Sequence, residues 1–360
     1  MPRATQSLSL RDLALLRLRN QRLLDKRCNK PEDVVAWLGA VQAQDYYGAT
    51  WALAQRTKKA SAAAVERAFD EGKILRTHVL RPTWHFVVPA DIRSMLALSA
   101  PRIAALMRPY DRKLGIDGRV LERSRAVLTA ALSGGRFATR NQLAQQLAAA
   151  GIEAKGQRLG HLMMHAELDA LICSGPRHGK QLTYALLEER APATPALPRQ
   201  DALAALTLRF FASHGPALPQ DFAWWSGLTI ADAKAGLQSV GSSLSQIDID
   251  GRTYWHTGKT EPPSLKAPIV HMLPNYDEHL IAYKERSAAF DRERVATLGP
   301  HDTVIGNHLI TLDGRVIGGW RREQTEIEIT LITRLKAPER KALDAARARL
   351  AGFLASAAET

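Results

Sequence analysis

Two glutamines with one residue between them, Gln42 and Gln44, lie in the stretch LGAVQAQD. Residues i and i+2 of an extended backbone point the same way, so both amides could be aimed at one small polar object, such as a water or a base edge. Their carbonyl oxygens can accept a hydrogen bond from a water, although glutamine does not titrate near neutral pH. On spacing alone a simpler interpretation stays open, in which one glutamine caps the preceding helix and the other is solvated.

A short helix is predicted directly before these glutamines. Pro31 suits its first turn, where two acidic residues complement the positive end of the helix dipole, and Gly39 can end it. The glutamines therefore fall on a loop or an extended link after the helix. Asp45, next along the chain, would point in a different direction and is predicted to be structural.

The chain as a whole is strongly basic. Its 360 residues carry 49 Lys and Arg against 36 Asp and Glu, which gives a net charge of +13 and a pI near 9.9. This balance favours a polyanionic partner, with nucleic acid ahead of an anionic membrane surface. No apolar run approaches the length of a membrane span, and the amino-terminal residues alternate Arg with Leu, unlike a secretion signal, so we expect a cytoplasmic protein.

Metal and disulfide sites are not indicated by the sequence. Cys28 and Cys173 lie far apart without a CxxC motif, and we expect both to be buried and inert. His161 and His165 are spaced i, i+4, as in some zinc sites, but neither an adjacent Glu nor a third ligand accompanies them in the sequence. We predict no metal and interpret the two histidines as a groove-facing or surface pair.

The pattern of helices and hairpins predicts tandem winged-helix modules. The first, residues 1–118, has helices over 47–56 and 62–71 and a basic hairpin that turns at Arg81-Pro82. Its opening helix, residues 9–27, has an apolar face and a basic face. We interpret the basic face as a solvated surface formed by Arg11, Arg17, Arg19, Arg22, Lys26 and Arg27.

The same order returns in residues 119–198 and, more weakly, in residues 199–262. The hairpin tip of the second module is turn-forming and cationic, so Arg177, His178 and Lys180 are predicted to rest on phosphates. Its helices are predicted over 123–133, 139–150 and 155–171, and a Pro-rich linker, 191–198, ends the module.

Residues 263–360 form a fourth region, rich in strands and closed by a helix over 338–354. Its predicted strand segments are 269–274, 303–320 and 325–335. We therefore expect an α+β, predominantly helical fold, in which three winged-helix modules precede a β-rich, barrel-like domain.

Four stretches together resemble the AlkZ-like branch of the winged-helix DNA glycosylases, a family that also has a YcaQ-like branch. In chain order they are KPEDVVAWLGAVQAQD, RPTWHFV, LPNYDEHLIAYKER and DGRVIGGWRR. The AlkZ-like branch carries Gln-any-Gln where the YcaQ-like branch has Gln-any-Asp, and Gln42 and Gln44 match the first pattern. The resemblance covers nearly the whole chain and implies tandem winged helices with a C-terminal β domain that shape a concave DNA-binding surface.

The resemblance also implies an activity, the excision of alkylated purines, including those in interstrand crosslinks, with Gln42 and Gln44 as catalytic residues. We accordingly expect a monofunctional DNA glycosylase for cationic N-alkylated purines in double-stranded DNA, acting as a monomer at the bacterial nucleoid without a cofactor. The alternative is a non-enzymatic winged-helix DNA-binding protein or transcription regulator, which has no need of the glutamine pair.

Further candidates flank the proposed chemistry. Arg81, Thr83 and His85 alternate to one side if their segment is a strand, so they could approach the lesion or a phosphate, or be ordinary polar residues of a strand. Asp277 and Glu278 could support the site by stabilising positive charge, although a bond across a module interface is the more common role for such carboxylates.

Overall fold

The computed structural model describes residues 8–25, 27–191, 193, 195, 197–298, 307–324 and 326–358. Lys26, three residues of the Pro-rich linker and the first four of the predicted strand segment 303–320 lie outside these ranges. The chain is α+β, as predicted, and about half of it is helical. Within the described ranges, no helix has the length and apolar character needed to cross a membrane.

The helices α1 to α15 include all those predicted from the sequence, with shifts of a few residues at most ends. The predicted opening helix is shorter than expected because it ends at Asn20. In chain order the helices are Leu10–Asn20, Pro31–Leu38, Tyr46–Gln55, Ala62–Asp70, Pro89–Lys113, Gly118–Leu132, Arg140–Ala149, Gly156–Leu168, Leu187–Arg190, Arg199–Ser213, Pro219–Ser226, Ile230–Val240, Glu278–Ile281, Arg292–Val295 and Ala337–Ala358.

The strands β1 to β12 are short, and most of them pair as antiparallel hairpins, as the alternating pattern of the sequence predicted. β2 pairs with β3, β5 with β6, and β7 with β8. In chain order the strands are Val41–Gln42, Leu75–His78, Trp84–Val87, Ala138–Thr139, Ile172–Ser174, Thr183–Leu186, Ser245–Ile249, Arg252–His256, Val270–Leu273, Leu309–Leu312, Arg315–Glu323 and Glu326–Leu331.

The chain divides into two compact units. The first comprises Met1–Val65, Ala204–Trp225 and Thr229–Thr360, and the second comprises Glu66–Leu203 and Ser226–Leu228. Each unit therefore contains helices and strands from more than one of the predicted modules. The number of winged-helix modules and their boundaries stay predictions.

The first unit contains the C-terminal sheet, whose strand order is β12-β11-β10-β9 with all neighbours antiparallel. β9 and β12 are its two edges, and they do not pair with each other, so the prediction of a barrel-like domain is wrong. The sheet is instead covered by the terminal helix α15, which buries Leu343, Leu350 and Phe353 against it. A helix packed on one face of an open sheet buries the apolar surface that a closed barrel would bury in its interior.

The second unit has its core among α6, α7, α8 and the small sheet of order β4-β6-β5. Thr139 begins α7 with a capping box, in which its hydroxyl accepts the Gln142 N–H and the Gln142 side chain accepts the Thr139 N–H. The long helix α5 was not predicted. It contains Pro101 and Pro109, which normally end a helix but here lie within it.

The basic face predicted for α1 is a solvated surface only in part. Arg17 is buried and stacks over the ring of Tyr283 at 3.7 Å, with its guanidinium 3.6 Å from Asp221. Arg19 donates to the backbone carbonyls of Lys259 and Glu261. Both arginines join segments of the first unit, and the buried guanidinium of Arg17 needs its carboxylate and aromatic partners.

Candidate active site

The Gln42–Gln44 link lies between two helices of the first unit. Pro31 occupies the first turn of α2 as predicted, and Gly39 follows its last residue with φ of 86°, a conformation that glycine adopts readily. The chain then extends through β1, which contains Gln42, and bends at Gln44. The link is therefore a short strand and a bend after a helix, which agrees with the predicted loop or extended link.

The two glutamine side chains have different environments. Gln42 is 7% exposed, whereas Gln44 is exposed to solvent. Asp45 begins α3, and its Oδ1 accepts the Gly48 N–H at 3.1 Å, which confirms its predicted structural role. The link is thus anchored at both ends while one of its two amides faces solvent. That both amides hold one water stays a prediction.

Glu278 binds the backbone of this link. Its Oε1 accepts the Gln42 N–H at 2.9 Å and its Oε2 accepts the indole N–H of Trp225 at 3.0 Å. The Nε2 atom of His214 lies 3.4 Å from Oε2. Burial lowers the pKa of His214 below its ordinary value, although Glu278 acts in the opposite direction. All these groups belong to the first unit and are buried.

Asp277 makes a separate bidentate ion pair. Its two oxygens accept from the guanidinium of Arg56 at 2.8 and 2.9 Å, and Arg56 also donates to the backbone carbonyl of Gln21. Burial alone would raise the pKa of Asp277, but the Arg56 charge and the His279 N–H hold it below its ordinary value. This pair joins the end of α3 to the start of α13, so the geometry agrees with the interface role that the sequence favoured for these carboxylates.

Gln21 connects the two carboxylate centres. Its side-chain amide donates to the Glu278 carbonyl at 3.2 Å and to the Tyr283 hydroxyl at 2.9 Å, while its Oε1 accepts from Arg56. The Tyr283 hydroxyl in turn donates to the His214 carbonyl at 2.7 Å. The polar groups behind the link therefore form one hydrogen-bonded network of buried side chains around Asp277 and Glu278.

Arg81, Thr83 and His85 lie together in the second unit, but not as predicted. Only His85 belongs to β3, and Arg81 and Thr83 are in the bend before it. His85 donates from Nδ1 to the Thr83 carbonyl at 2.9 Å, and Arg81 lies 3.3 Å from its Nε2. His85 is 0% exposed, and burial together with the Arg81 charge holds its pKa well below the usual value. It is a neutral, internal group.

The three residues of the predicted cationic hairpin tip have different environments. Arg177 pairs with Glu66 and Asp70, both at 3.0 Å, so its charge is already compensated within the second unit. His178 and Lys180 are exposed. At this tip, His178 and Lys180 are therefore more accessible to a phosphate than Arg177 is.

The histidine pair on α8 has a carboxylate partner that the sequence did not indicate. The two oxygens of Asp111 lie 2.7 Å from His161 Nδ1 and 2.9 Å from His165 Nε2. Across the part of the chain that is described, no group of three or more His, Cys, Asp or Glu is arranged to hold a metal ion. Cys173 is buried as predicted, whereas Cys28 is only half-buried, and burial raises the pKa of both thiols.

Sequence reasoning did not identify His214, Trp225 or Arg56 as part of this site. His214 and Trp225 lie in the 199–262 region, far along the chain from the glutamines. The one local indication in the sequence was that both lie in an apolar, aromatic-rich segment. Such a segment is equally typical of a hydrophobic core. Only the folded structure brings them to Glu278.

Comparisons with known proteins identify the family to which this chain belongs. The model of the family described as DNA glycosylase AlkZ-like matches residues 35–353. The interstrand DNA cross-link repair glycosylase of Streptomyces sahachiroi is 24% identical over 365 residues, which cover 94% of this chain and 96% of that protein. The solved structure of the S. sahachiroi DNA glycosylase AlkZ has the same fold, with a TM-score of 0.80, 22% identity and 97% of each chain covered. Because the family match spans most of the sequence, the predicted family and enzyme class are confirmed: the chain belongs to the AlkZ-like family of DNA glycosylases.

Proposed function

We propose that this enzyme excises purines that carry positive charge through N-alkylation, by attack of a water that Gln42 and Gln44 orient. The observation that carries the proposal is the Gln42–Gln44 link itself. It is anchored to Glu278 at Gln42 and to α3 at Asp45, and it presents Gln44 to solvent. A binding protein of this family's fold would not need two amides held in this way.

The chemistry suits groups that do not titrate. A purine alkylated at N7 or N3 is cationic and already leaves readily, so the enzyme need not protonate it. What accelerates the reaction is a water held near the developing oxocarbenium carbon. Amide carbonyl oxygens can accept the hydrogens of that water and direct its lone pair, although they are too weakly basic to remove a proton before attack.

We further propose that the reaction is monofunctional. A bifunctional glycosylase forms a Schiff base through an amine, and the link contains no lysine. The nearest lysines that follow it, Lys58 and Lys59, come after the end of α3. The expected product is an intact abasic site, and borohydride should trap no covalent adduct between enzyme and DNA.

For the substrate we propose double-stranded DNA, bound by the enzyme as a monomer at the nucleoid. The Streptomyces relative is named for the repair of interstrand crosslinks, and we extend the proposal to the unhooking of such crosslinks. For DNA contacts we propose His178 and Lys180 at the hairpin tip, which are exposed, ahead of Arg177. Of the three residues Arg81, Thr83 and His85, we propose that Arg81 makes the DNA contact, because His85 is internal.

The test is the release of a modified base. The enzyme is incubated with duplex that contains a single N7-methylguanine, and free base is separated by chromatography while the strand is analysed for an abasic site. We expect free N7-methylguanine and an unbroken abasic strand. Tight binding without base release would contradict the proposal and favour a DNA-binding regulator instead.

A further inference from the structure

Glu278 is a buried carboxylate that three distant parts of the first unit contact. It is 0% exposed, and the donors to its two oxygens are the Gln42 backbone N–H and the Trp225 indole N–H, with the His214 ring adjacent. The bond to Gln42 spans 236 residues of sequence. Because the desolvation of a carboxylate is costly, its oxygens must be matched by donors, and one of these is the catalytic link itself.

The neighbouring carboxylate has a different role. Asp277 accepts hydrogen bonds from both terminal nitrogens of the Arg56 guanidinium, whereas Arg56 interacts with Glu278 through its charge. The hydrogen bonds to the Glu278 carboxylate come from neutral donors, at 2.9 Å from the Gln42 N–H and at 3.0 Å from the Trp225 indole N–H. A short charge-assisted bond fixes both the distance and the direction of its donor.

Glu278 holds the peptide N–H of Gln42 within β1, a strand of only two residues. A fixed backbone matters for the proposed reaction, since a misplacement of about 1 Å in a positioning group can cost roughly 100-fold in rate. The side chain of Gln42 extends from this backbone, so an error in the peptide position is passed on to the amide that would hold the water.

We propose that Glu278 is a positioning residue for base excision, which acts by holding the Gln42 peptide so that the Gln42 amide meets the attacking water. Glu278 does not touch the substrate in this role. The proposal rests on the proposed function. It adds that excision depends on the contact between Glu278 and the Gln42 peptide, and that Glu278 acts only through Gln42.

The variant that tests this is Glu278→Gln, which keeps the size of the side chain. The NH2 group of the introduced glutamine must face either the Gln42 N–H or the Trp225 N–H. At that one of the two sites, two hydrogen-bond donors then face each other without an acceptor. We expect the plateau rate of single-turnover excision of N7-methylguanine to fall about 10- to 100-fold. The enzyme concentration that gives half of that plateau, and the affinity for undamaged duplex, should stay within about twofold of the parent.

A double-mutant cycle separates positioning from a general structural effect. In Gln42→Ala the backbone N–H remains but the amide that it positions is gone, so adding Glu278→Gln should slow excision by no more than about twofold. A destabilising control away from the link is Leu343→Ala, in the contact between α15 and the sheet. It should lower Tm and leave the excision rate unchanged at a temperature where the enzyme is folded.

The outcomes are distinct. Losses that multiply in the double variant, or a Glu278→Gln enzyme that excises like the parent, would overturn the positioning role while the proposed function stands. If Gln42→Ala itself excises like the parent, the glutamine mechanism fails and the positioning role fails with it. A parent enzyme that releases no base would refute the proposed function first.

Discussion

At the scale of single residues, Gln42 and Gln44 divide the proposed work unequally. Gln42 is buried and its peptide is bound by Glu278, whereas Gln44 is exposed and precedes the cap residue of α3. One amide is therefore held in the protein, and the other is accessible from solvent, where DNA would approach. This asymmetry suits a water that enters from outside and is fixed between two acceptors.

The first prediction at this scale concerns removal of either amide. Gln42→Ala and Gln44→Ala should each slow single-turnover excision about 10- to 100-fold, because each removes one acceptor from the same water. The double variant should lose less than the product of the two losses, and duplex affinity should barely change. Gln246→Ala, an exposed glutamine in β7, is the matched control. Variants that all excise like the parent would rule out the role of the link.

A second prediction concerns the chemistry of the acceptor. Gln44→Asp recreates the Gln-any-Asp pattern of the YcaQ-like branch, keeps an acceptor near the same position and adds a negative charge that attracts both the cationic base and the oxocarbenium. It should therefore retain excision of N7-methylguanine, to within about tenfold of the parent rate. Loss of activity as complete as in Gln44→Ala, measured in the same assay, would mean that an amide specifically is required.

At the scale of elements, the hairpin of β5 and β6 illustrates how one cationic tip can have two functions. Arg177 is bound back to Glu66 and Asp70, which lie on α4, while His178 and Lys180 extend into solvent. The arginine thus fixes the base of the tip, and the other two residues are available to a phosphate. A similar division exists in α1, where Arg17 is internal although the sequence placed it on a basic face.

The prediction for this element separates the two functions. Lys180→Ala should weaken binding to every duplex sequence alike and reduce the slope of log affinity against log salt by about 1, since it removes one proposed phosphate contact. Arg177→Ala should instead lower the free energy of unfolding, on the order of 3 kcal/mol, because it leaves the buried Glu66 without its partner. Fluorescence anisotropy over a salt series and urea denaturation measure the two effects.

A charge control belongs with that experiment. Lys341→Ala removes the same charge from an exposed site on α15 and should change neither the salt slope nor the stability by much. Equal weakening by Lys180→Ala and Lys341→Ala would mean that only net charge matters, and the hairpin would lose its special role.

At the scale of the whole molecule, we expect buried histidines to make the first unit sensitive to acid. His271 donates to the Leu23 carbonyl and His279 to the Gly314 carbonyl, each from Nε2 at 2.9 Å. Their Nδ1 atoms find no hydrogen-bond partner among the described residues. Burial lowers the pKa of His271 to about 3 and of His279 to about 4, so both are neutral in the folded protein at neutral pH.

The corresponding prediction is a loss of stability in mild acid. Below about pH 6.5 the histidines of the unfolded chain bind protons that the folded chain does not, so the free energy of unfolding falls by about 1.4 kcal/mol per pH unit for each histidine. The fall continues until the pH reaches the folded pKa values, which are about 4 for His279 and about 3 for His271. Urea denaturation at pH 7, 6 and 5 measures it.

His279→Gln keeps an N–H donor and does not titrate, so it should make this pH dependence shallower. His178→Gln, at an exposed position, is the matched control and should leave the slope unchanged. A free energy of unfolding that is equal at pH 7 and pH 5 would contradict the neutral, buried state of His271 and His279.

Much of the local structure was predictable because its causes lie within a few residues. Pro31 and Gly39 bound α2, Thr139 begins α7, and the Asp-Gly pairs at 250–251 and 313–314 form hairpin turns with positive φ. The glutamine link after α2 was predictable for the same reason. The long helix α5 was not, because its two prolines are residues that usually end a helix.

What the sequence by itself determined is the set of elements, the basic charge and the motif that marks the family. Only the tertiary structure decided which charges are internal, that the C-terminal sheet stays open, and that Glu278 binds the peptide of Gln42. Turns and helix ends depend on neighbours along the chain, whereas burial and pairing depend on which distant segments meet. A carboxylate at position 278 has no local signal that distinguishes a solvated group from one that holds a residue 236 positions away.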